Sequence, residues 1–391
     1  MKLIYITNTR LPSEKANSYQ SVQMCNSFAS EFEEVELWTG KAHNTKEMLQ
    51  IDNIFEFYNI EQNFLIKTFF QLDSIVLRNL NQFIWANLRD LVFSVNISIN
   101  LIKYRNKPET ILYTRVWHFL YIFLFFQKLG MVKNKIFYES HQYSKYHLKV
   151  LKKIDGVVVI NQNLSLLYKK RGINKIIVAH DGVNMSTFKF EEKSAFNPPE
   201  FDKFKNKKVI TYIGSYKTLG AEKGIADIIK SIPFLNDQEI CFAFIGGPMK
   251  YVNEYLNLSE SLKINRERLI FIDRQPIANL KFYMRQSKAL LMPFPNTQHY
   301  AYYMSPLKMF EYMTSKVPII ASKLPSILEV LKDKENAIIC EPDNPNDIAD
   351  KIQYVIENDC SKIAKKALED VAEFTWEKRA NKVQKFITSE Y

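Results

Sequence analysis

Cysteine is scarce in this 391-residue chain: Cys25, Cys241, Cys340 and Cys360 lie far apart with no CxxC pair, which argues against a disulfide framework and against a zinc site. Reduced thiols buried in cores are the expectation. Long apolar runs are also missing. The best stretch, Val116 to Phe126, carries His118 and falls well short of the roughly 18 residues that span a bilayer. The opening MKLIYITNTR runs straight into a strand pattern without the apolar core of a signal peptide, so a cytoplasmic location is expected. There is no internal repeat, no low-complexity segment and no recognised nucleic-acid-binding motif.

What is present is apolar content of 47% and a formal charge of +11 with a pI near 9.1. The length exceeds what one hydrophobic core usually serves, so two domains are expected. The charge suits anionic partners such as phosphorylated substrates or a membrane surface, and a Lys- and Asn-rich compositional bias accounts for it equally well.

Short β-branched or aromatic runs alternate with helical patterns: Lys2 to Ile6, Val35 to Trp38, Ile111 to Tyr113, Ile136 to Tyr138, Val157 to Ile160 and Ile176 to Ala179. A second series comprises Val209 to Ile213, Cys241 to Ile245, Leu269 to Ile272, Ala289 to Met292, Ile319 to Ala321 and Ala337 to Ile339. This is the rhythm of an α/β protein with two doubly wound, Rossmann-like domains. The aperiodic stretch Glu191 to Lys207 is read as the linker. The expected domains are 1–190 and 207–375, with 376–391 returning to the first. Between Asn44 and Asn106 the pattern weakens into an aromatic-rich helical excursion, read chiefly as packing.

The segment SPLKMFEYM, Ser305 to Met313, follows a strand and a loop. Ser305 suits a helix N-cap and Pro306 a first helical position, which would place an anion-binding helix end at the carboxyl edge of a parallel sheet. Glu311, nearly two turns in, offers two acceptor oxygens that suit paired ribose hydroxyls. A capped surface helix with a solvated glutamate is the bland alternative.

The longer run SPLKMFEYMTSKVPIIASKLPSILEVL resembles the donor-site signature of the retaining glycosyltransferases of family 4, group 1, which have the GT-B fold. The resemblance implies that Ser305, Pro306, Leu307 and Lys308 meet the donor's diphosphate and Glu311 its ribose. The family's first glutamate, eight positions before Glu311 with seven residues between, is replaced here by Tyr303, which puts donor-sugar identity in doubt. GSYKTLGAEKG resembles the family's phosphate loop, with Gly214 opening it, Lys223 matching the phosphate-pairing lysine, Ser215 standing where arginine is common and Lys217 as a substitute charge. Gly246 and Gly247 match a Gly-Gly turn, and Asp273 to Pro276, including Arg274, sits where the family meets the nucleotide base.

TNTRLPSEKANSYQSVQMCNSFA resembles the first loop and helix of surface (capsular) polysaccharide glycosyltransferases, with Glu14, Lys15, Asn17 and Ser18 on the acceptor side. An N-cap at Ser18 is the plain alternative. In YESHQYSKYHLK, His141 matches a histidine that contacts the donor sugar; the catalytic candidates are therefore His141 and Lys223. His180 and Asp181 read as turn and capping residues, and Trp376 as an anchor in the closing helix.

The resemblance implies a retaining transfer of sugar from a nucleotide-diphosphate sugar to a glycan or lipid-linked acceptor, with a closing cleft between the domains. No DxD pair is present, so no metal is expected, and no cofactor beyond the donor as co-substrate. An anionic membrane is a candidate partner; nucleic acid is not. A nucleotide-sugar 2-epimerase of the same fold and a non-catalytic scaffold remain alternatives.

Overall fold

The structure, a computed structural model, describes residues 1–74, 76, 79, 81–189, 197–218 and 220–389. The chain divides into two compact units: Met1–His180 with Trp376–Tyr391, and Asp181–Thr375. The division thus falls after His180. Part of the expected linker, 191–196, lies outside the described residues; the rest of it is not a free tether, since Pro199–Phe204 forms a 3-10 turn that buries Phe201 and Phe204 in the second unit's core.

The first unit is a seven-stranded, all-parallel sheet of β1 (Lys2–Thr7), β2 (Glu34–Gly40), β3 (Leu65–Phe69), β4 (Thr110–Thr114), β5 (Ile136–Ser140), β6 (Gly156–Val159) and β7 (Ile176–Val178). Its order is β3-β2-β1-β4-β5-β6-β7, so the order reverses between β1 and β4. The excursion contributes the edge strand β3 and the long helix Gln82–Leu101. Glu36 ties the edge together: it accepts from Lys2 on β1 at 2.5 Å, from Lys67 on β3 at 2.7 Å and from the Trp38 indole at 2.5 Å. Burial works against its charge, yet these donors prevail and hold the carboxyl down to about 2. The closing helix Trp376–Ser389 packs on the helix Ala16–Phe28, with Trp376 fully buried and edge-on to Tyr19. A Cβ at Gly156 would lie 2.7 Å from the Phe386 ring of that helix, which explains glycine at the start of β6.

The second unit is a six-stranded parallel sheet of β8 (Lys208–Ile213), β11 (Ile240–Ile245), β12 (Leu269–Ile272), β13 (Ala289–Met292), β14 (Ile319–Ser322) and β15 (Ile338–Cys340), with a small hairpin of β9 (Lys217–Thr218) and β10 (Ala221–Glu222) after its first strand. The order is β12-β11-β8-β13-β14-β15, with its reversal between β8 and β13. Both faces are covered: Val209 and Ile213 point into one apolar cluster, Ile210 and Tyr212 into the other. All four cysteines are buried and unpaired. Among the described residues no helix is long and apolar enough to cross a membrane.

Candidate functional site

In open α/β sheets ligands gather beyond the carboxyl ends of the strands that flank a reversal of strand order. In the second unit those strands are β8 and β13, and their continuations meet closely. Gly214, directly after β8, is at φ 140°, and a Cβ there would lie 2.7 Å from the Lys308 ammonium. Gly224, at φ 93°, leads the helix Ile225–Ser231; a Cβ there would lie 1.8 Å from the Pro293 carbonyl after β13. These two glycines let the loop after β8 approach Lys308 of the SPLKMFEYM segment and Pro293 after β13.

Lys308 is the centre of this convergence. Only 9% of it is exposed, and its ammonium has no hydrogen-bond partner among the described residues. It sits 3.8 Å from the Tyr212 ring centroid and 5.3 Å from that of Phe294. Burial lowers its pKa well below the usual lysine value, and the neighbouring Lys223 pushes the same way against the opposing pull of Glu311 and Glu222. Burial likewise lowers Lys223, and it lowers His299, which also feels Lys223. Glu311 shows the converse: burial raises its carboxyl to about 7 although Lys308 opposes the shift. Lys308 therefore feels both Lys223 and Glu311 near the strand reversal, each of the three disfavoured in its charged form by burial, an arrangement that an anionic ligand with hydroxyl groups would relieve.

Other expectations are relocated. The helix is Leu307–Met313, with Pro306 at the cap position and no side-chain cap. Ser305 is not its N-cap; its hydroxyl accepts from the Asp181 amide at 3.0 Å. Lys217, expected as a substitute charge for the missing arginine, has its ammonium held by Glu254 at 2.6 Å and lying over the Tyr251 ring. The Ser215 carbonyl accepts from Tyr212, and the Gly247 carbonyl from the Tyr216 amide at 2.7 Å, so this turn braces the loop. The Tyr303 hydroxyl accepts from Gln298 at 3.1 Å. Arg274 is exposed, its amide capped by Asp273.

Glu222, unremarked in the sequence, accepts from the amides of Gly224, Ile225 and Ala226 at 2.5–3.1 Å and so fixes the turn that carries Lys223.

In the first unit, His141 lies just past β5 and its Nε2 is 2.6 Å from Glu139. Glu139 is fully buried and also accepts from Gln20, from the Tyr113 hydroxyl and from Arg379 of the closing helix at 3.2 Å. Burial opposes its charge, but Arg379, His141 and Arg115 hold its carboxyl well below the usual range. Sequence reading missed Glu139 and Arg379; the only signal was a carboxylate inside an apolar strand. On the first loop, Glu14 is paired with Arg10, while Lys15 and Asn17 are exposed. Ser18 is not a cap: the helix begins at Ala16 and the Ser18 hydroxyl donates to the Arg10 carbonyl. Tyr58 of the excursion pins the loop by accepting from the Ser13 amide at 2.8 Å and donating to its carbonyl at 2.6 Å. His180 is half-buried, its pKa driven down to about 4 chiefly by that burial, and its carbonyl accepts from Arg379. No cluster of three His, Cys, Asp or Glu side chains that could hold a metal ion occurs among the described residues.

The segment that builds this convergence has known counterparts. Residues 194–373 match the family Glycosyl transferases group 1. This group 1 segment contains Gly214, Lys223, Lys308 and Glu311. A curated relative, an uncharacterized glycosyltransferase of Methanocaldococcus jannaschii, MJ1178, is 22% identical over 235 residues. That match spans 59% of this chain and 58% of the relative. Among solved structures, Anabaena HepE in complex with UDP and glucose superposes with a TM-score of 0.72 at 14% identity, covering 100% of both chains. The apo lipopolysaccharide outer core galactosyltransferase WaaB gives 0.68 at 16% identity, also covering 100% of both. The fold shared with these proteins is GT-B, two Rossmann-like α/β domains.

Proposed function

We propose that this chain is a glycosyltransferase that moves a sugar from a nucleotide-diphosphate sugar to a glycan or lipid-linked acceptor in surface polysaccharide synthesis. The observation that carries the reading is the partnerless, buried Lys308 ammonium beside Gly214, Lys223 and Glu311 at the strand reversal of the group 1 segment. A donor diphosphate would meet Lys308 and Lys223, which stabilise the charge that grows on it as the glycosidic bond breaks. Glu311 would accept from the ribose hydroxyls. Uridine is the first nucleotide to test, because HepE was solved with UDP.

The reading includes retention of configuration, the implication of the resemblance, with the leaving diphosphate taking the acceptor proton. His141 keeps its implied hydrogen bond to a sugar hydroxyl, its ring fixed by Glu139. Two lysines in place of a divalent ion make metal-independent transfer part of the proposal, with no cofactor besides the donor. Work at the cytoplasmic face of an anionic membrane completes it. The scaffold alternative draws on Tyr303 in place of the family's glutamate and Ser215 in place of its arginine.

The test is thermal stabilisation by a panel of nucleoside diphosphates and nucleotide sugars, followed by an assay of sugar transfer with radiolabelled donor. A shift with one nucleotide, lost in Lys308→Met and Glu311→Ala, supports donor binding by linkage. No shift with any nucleotide favours the scaffold, and release of a free 2-epimer without an acceptor favours the epimerase.

A further inference from the structure

Charge and exposed apolar surface both segregate to the first unit. Lys and Arg exceed Asp and Glu by 11 across 1–180 and 376–391 and balance them within 181–375, so the first unit carries the whole formal charge. Residues 81–150 alone hold ten Lys or Arg against three acidic residues, and two of those, Asp90 and Glu139, are buried. Of the 18 large exposed hydrophobic side chains among the described residues, 14 belong to this unit.

Seven of these fourteen sit on two neighbouring helices, Gln82–Leu101 and Trp117–Lys128, and an eighth, Leu129, follows directly after the second. Near their starts His118 is 2.9 Å from Asn87; beyond their ends the Arg105 guanidinium lies 3.9 Å from the Cβ position of Gly130. The helices therefore run side by side in the same direction. Each is apolar on two sides. Phe93, Ile97 and Leu101, and Phe119, Leu120 and Phe123, are buried. Ile84, Leu88 and Leu91 on one helix, and Tyr121, Phe125 and Leu129 on the other, recur every three or four residues on the outer side and are exposed by 36–58%. A helix that is hydrophobic all round ordinarily has both faces covered. Cations flank this stripe: exposed Lys103, Arg105, Lys128 and Lys133 at or beyond the helix ends, and Lys145 and Lys149 around Tyr146, which is 76% exposed and whose carbonyl accepts from the Tyr121 hydroxyl.

We infer that this two-helix face docks in the plane of an anionic lipid bilayer. The apolar stripe would enter the boundary between headgroups and acyl chains while the flanking cations meet lipid phosphates. A second copy fits less well, because it would set one cationic surface against another. Nucleic acid would have no use for the apolar stripe. The inference deepens the membrane side of the proposed function and rests on that reading for its purpose.

Sedimentation of the full chain with large vesicles tests it, comparing phosphatidylcholine alone with equal parts phosphatidylcholine and phosphatidylglycerol. Binding is expected to the anionic vesicles only and to weaken with salt. Ile84→Ser/Leu91→Ser/Phe125→Ser and Lys145→Glu/Lys149→Glu should each lower the partition coefficient by at least about tenfold. All substituted side chains are partly or largely exposed, and melting curves check that both variants fold. Wild type that ignores anionic vesicles overturns the inference, as does unchanged binding by the folded apolar variant. A dimer in sedimentation velocity that the apolar variant dissolves would replace the bilayer by a second copy. UDP-dependent thermal shift on the same proteins reads the donor site separately: its loss would strike the functional reading, and its persistence without vesicle binding would strike only this one.

Discussion

Replacing Glu311 by glutamine should make the empty protein more stable and its nucleotide complex weaker. Burial lifts the Glu311 carboxyl to about 7 from an ordinary 4.5, so the folded protein retains there a proton that the unfolded chain gives up. The raised value means that Glu311 subtracts stability as pH climbs from about 4.5 to about 7 and that the loss is complete above about 7. The separation of about 2.5 units sets a ceiling of about 3 kcal/mol, and about 1–3 kcal/mol is expected once partial solvent access is allowed for. Glutamine keeps the shape and removes the ionisation. For a unit of this size Tm should then rise by about 2–10 °C at about pH 8 and by much less at about pH 5. Differential scanning calorimetry at the two pH values reads the effect directly, and titration with UDP should show binding weakened by about tenfold. A variant that melts with wild type at both pH values, or above it by an equal margin at both, would refute the argument that the carboxyl is held against its charge.

Lys308→Met should leave the empty protein as stable or more so, and weaken diphosphate binding by about 10–100-fold. Because burial depresses the Lys308 pKa and an anion beside it would favour the ammonium, the dependence of the binding enthalpy on the buffer's ionisation heat should differ between wild type and variant. Gly224→Ala, which forces a side chain against the Pro293 carbonyl at positive φ, should lower Tm and abolish the nucleotide-induced shift. Glu36, held down to about 2, stabilises the first unit above about pH 4.5 and ceases to do so as pH falls towards 2. Glu36→Gln should thus cost about 1–3 kcal/mol at neutral pH in a denaturant titration and converge on wild type in acid.

Most parallel strands were readable because buried strands of α/β proteins are short, nearly uninterrupted β-branched or aromatic runs. β3 was not: Leu65 and Thr68 face solvent at a sheet edge, so Leu65–Phe69 has neither a continuous apolar run nor the alternation of a half-buried strand. The excursion read as helical, but the bounds of Gln82–Leu101 were obscured because the helix is apolar on both its inner and outer sides, which weakens the period that an amphipathic helix displays. At the candidate site the residue types were legible, since glycine, lysine and glutamate stand at spacings tied to a strand and a helix. Their states were not. Nothing in SPLKMFEYM distinguishes a solvated lysine from one lodged against Tyr212, because burial of Lys308 depends on β8 and the loop after β13. Glu139 escaped for a related reason: a carboxylate inside a strand reads as a surface position until Arg379, 240 residues later, is seen beside it.

Because Trp376–Tyr391 belongs to the first unit, Asp181–Thr375 is inserted into it rather than appended to it. During synthesis the inserted unit can complete its sheet while the earlier one still lacks its last helix and the guanidinium that offsets Glu139. The first unit therefore gains Arg379, and the packing of Trp376–Ser389 on Ala16–Phe28, only after the whole of Asp181–Thr375 has been made.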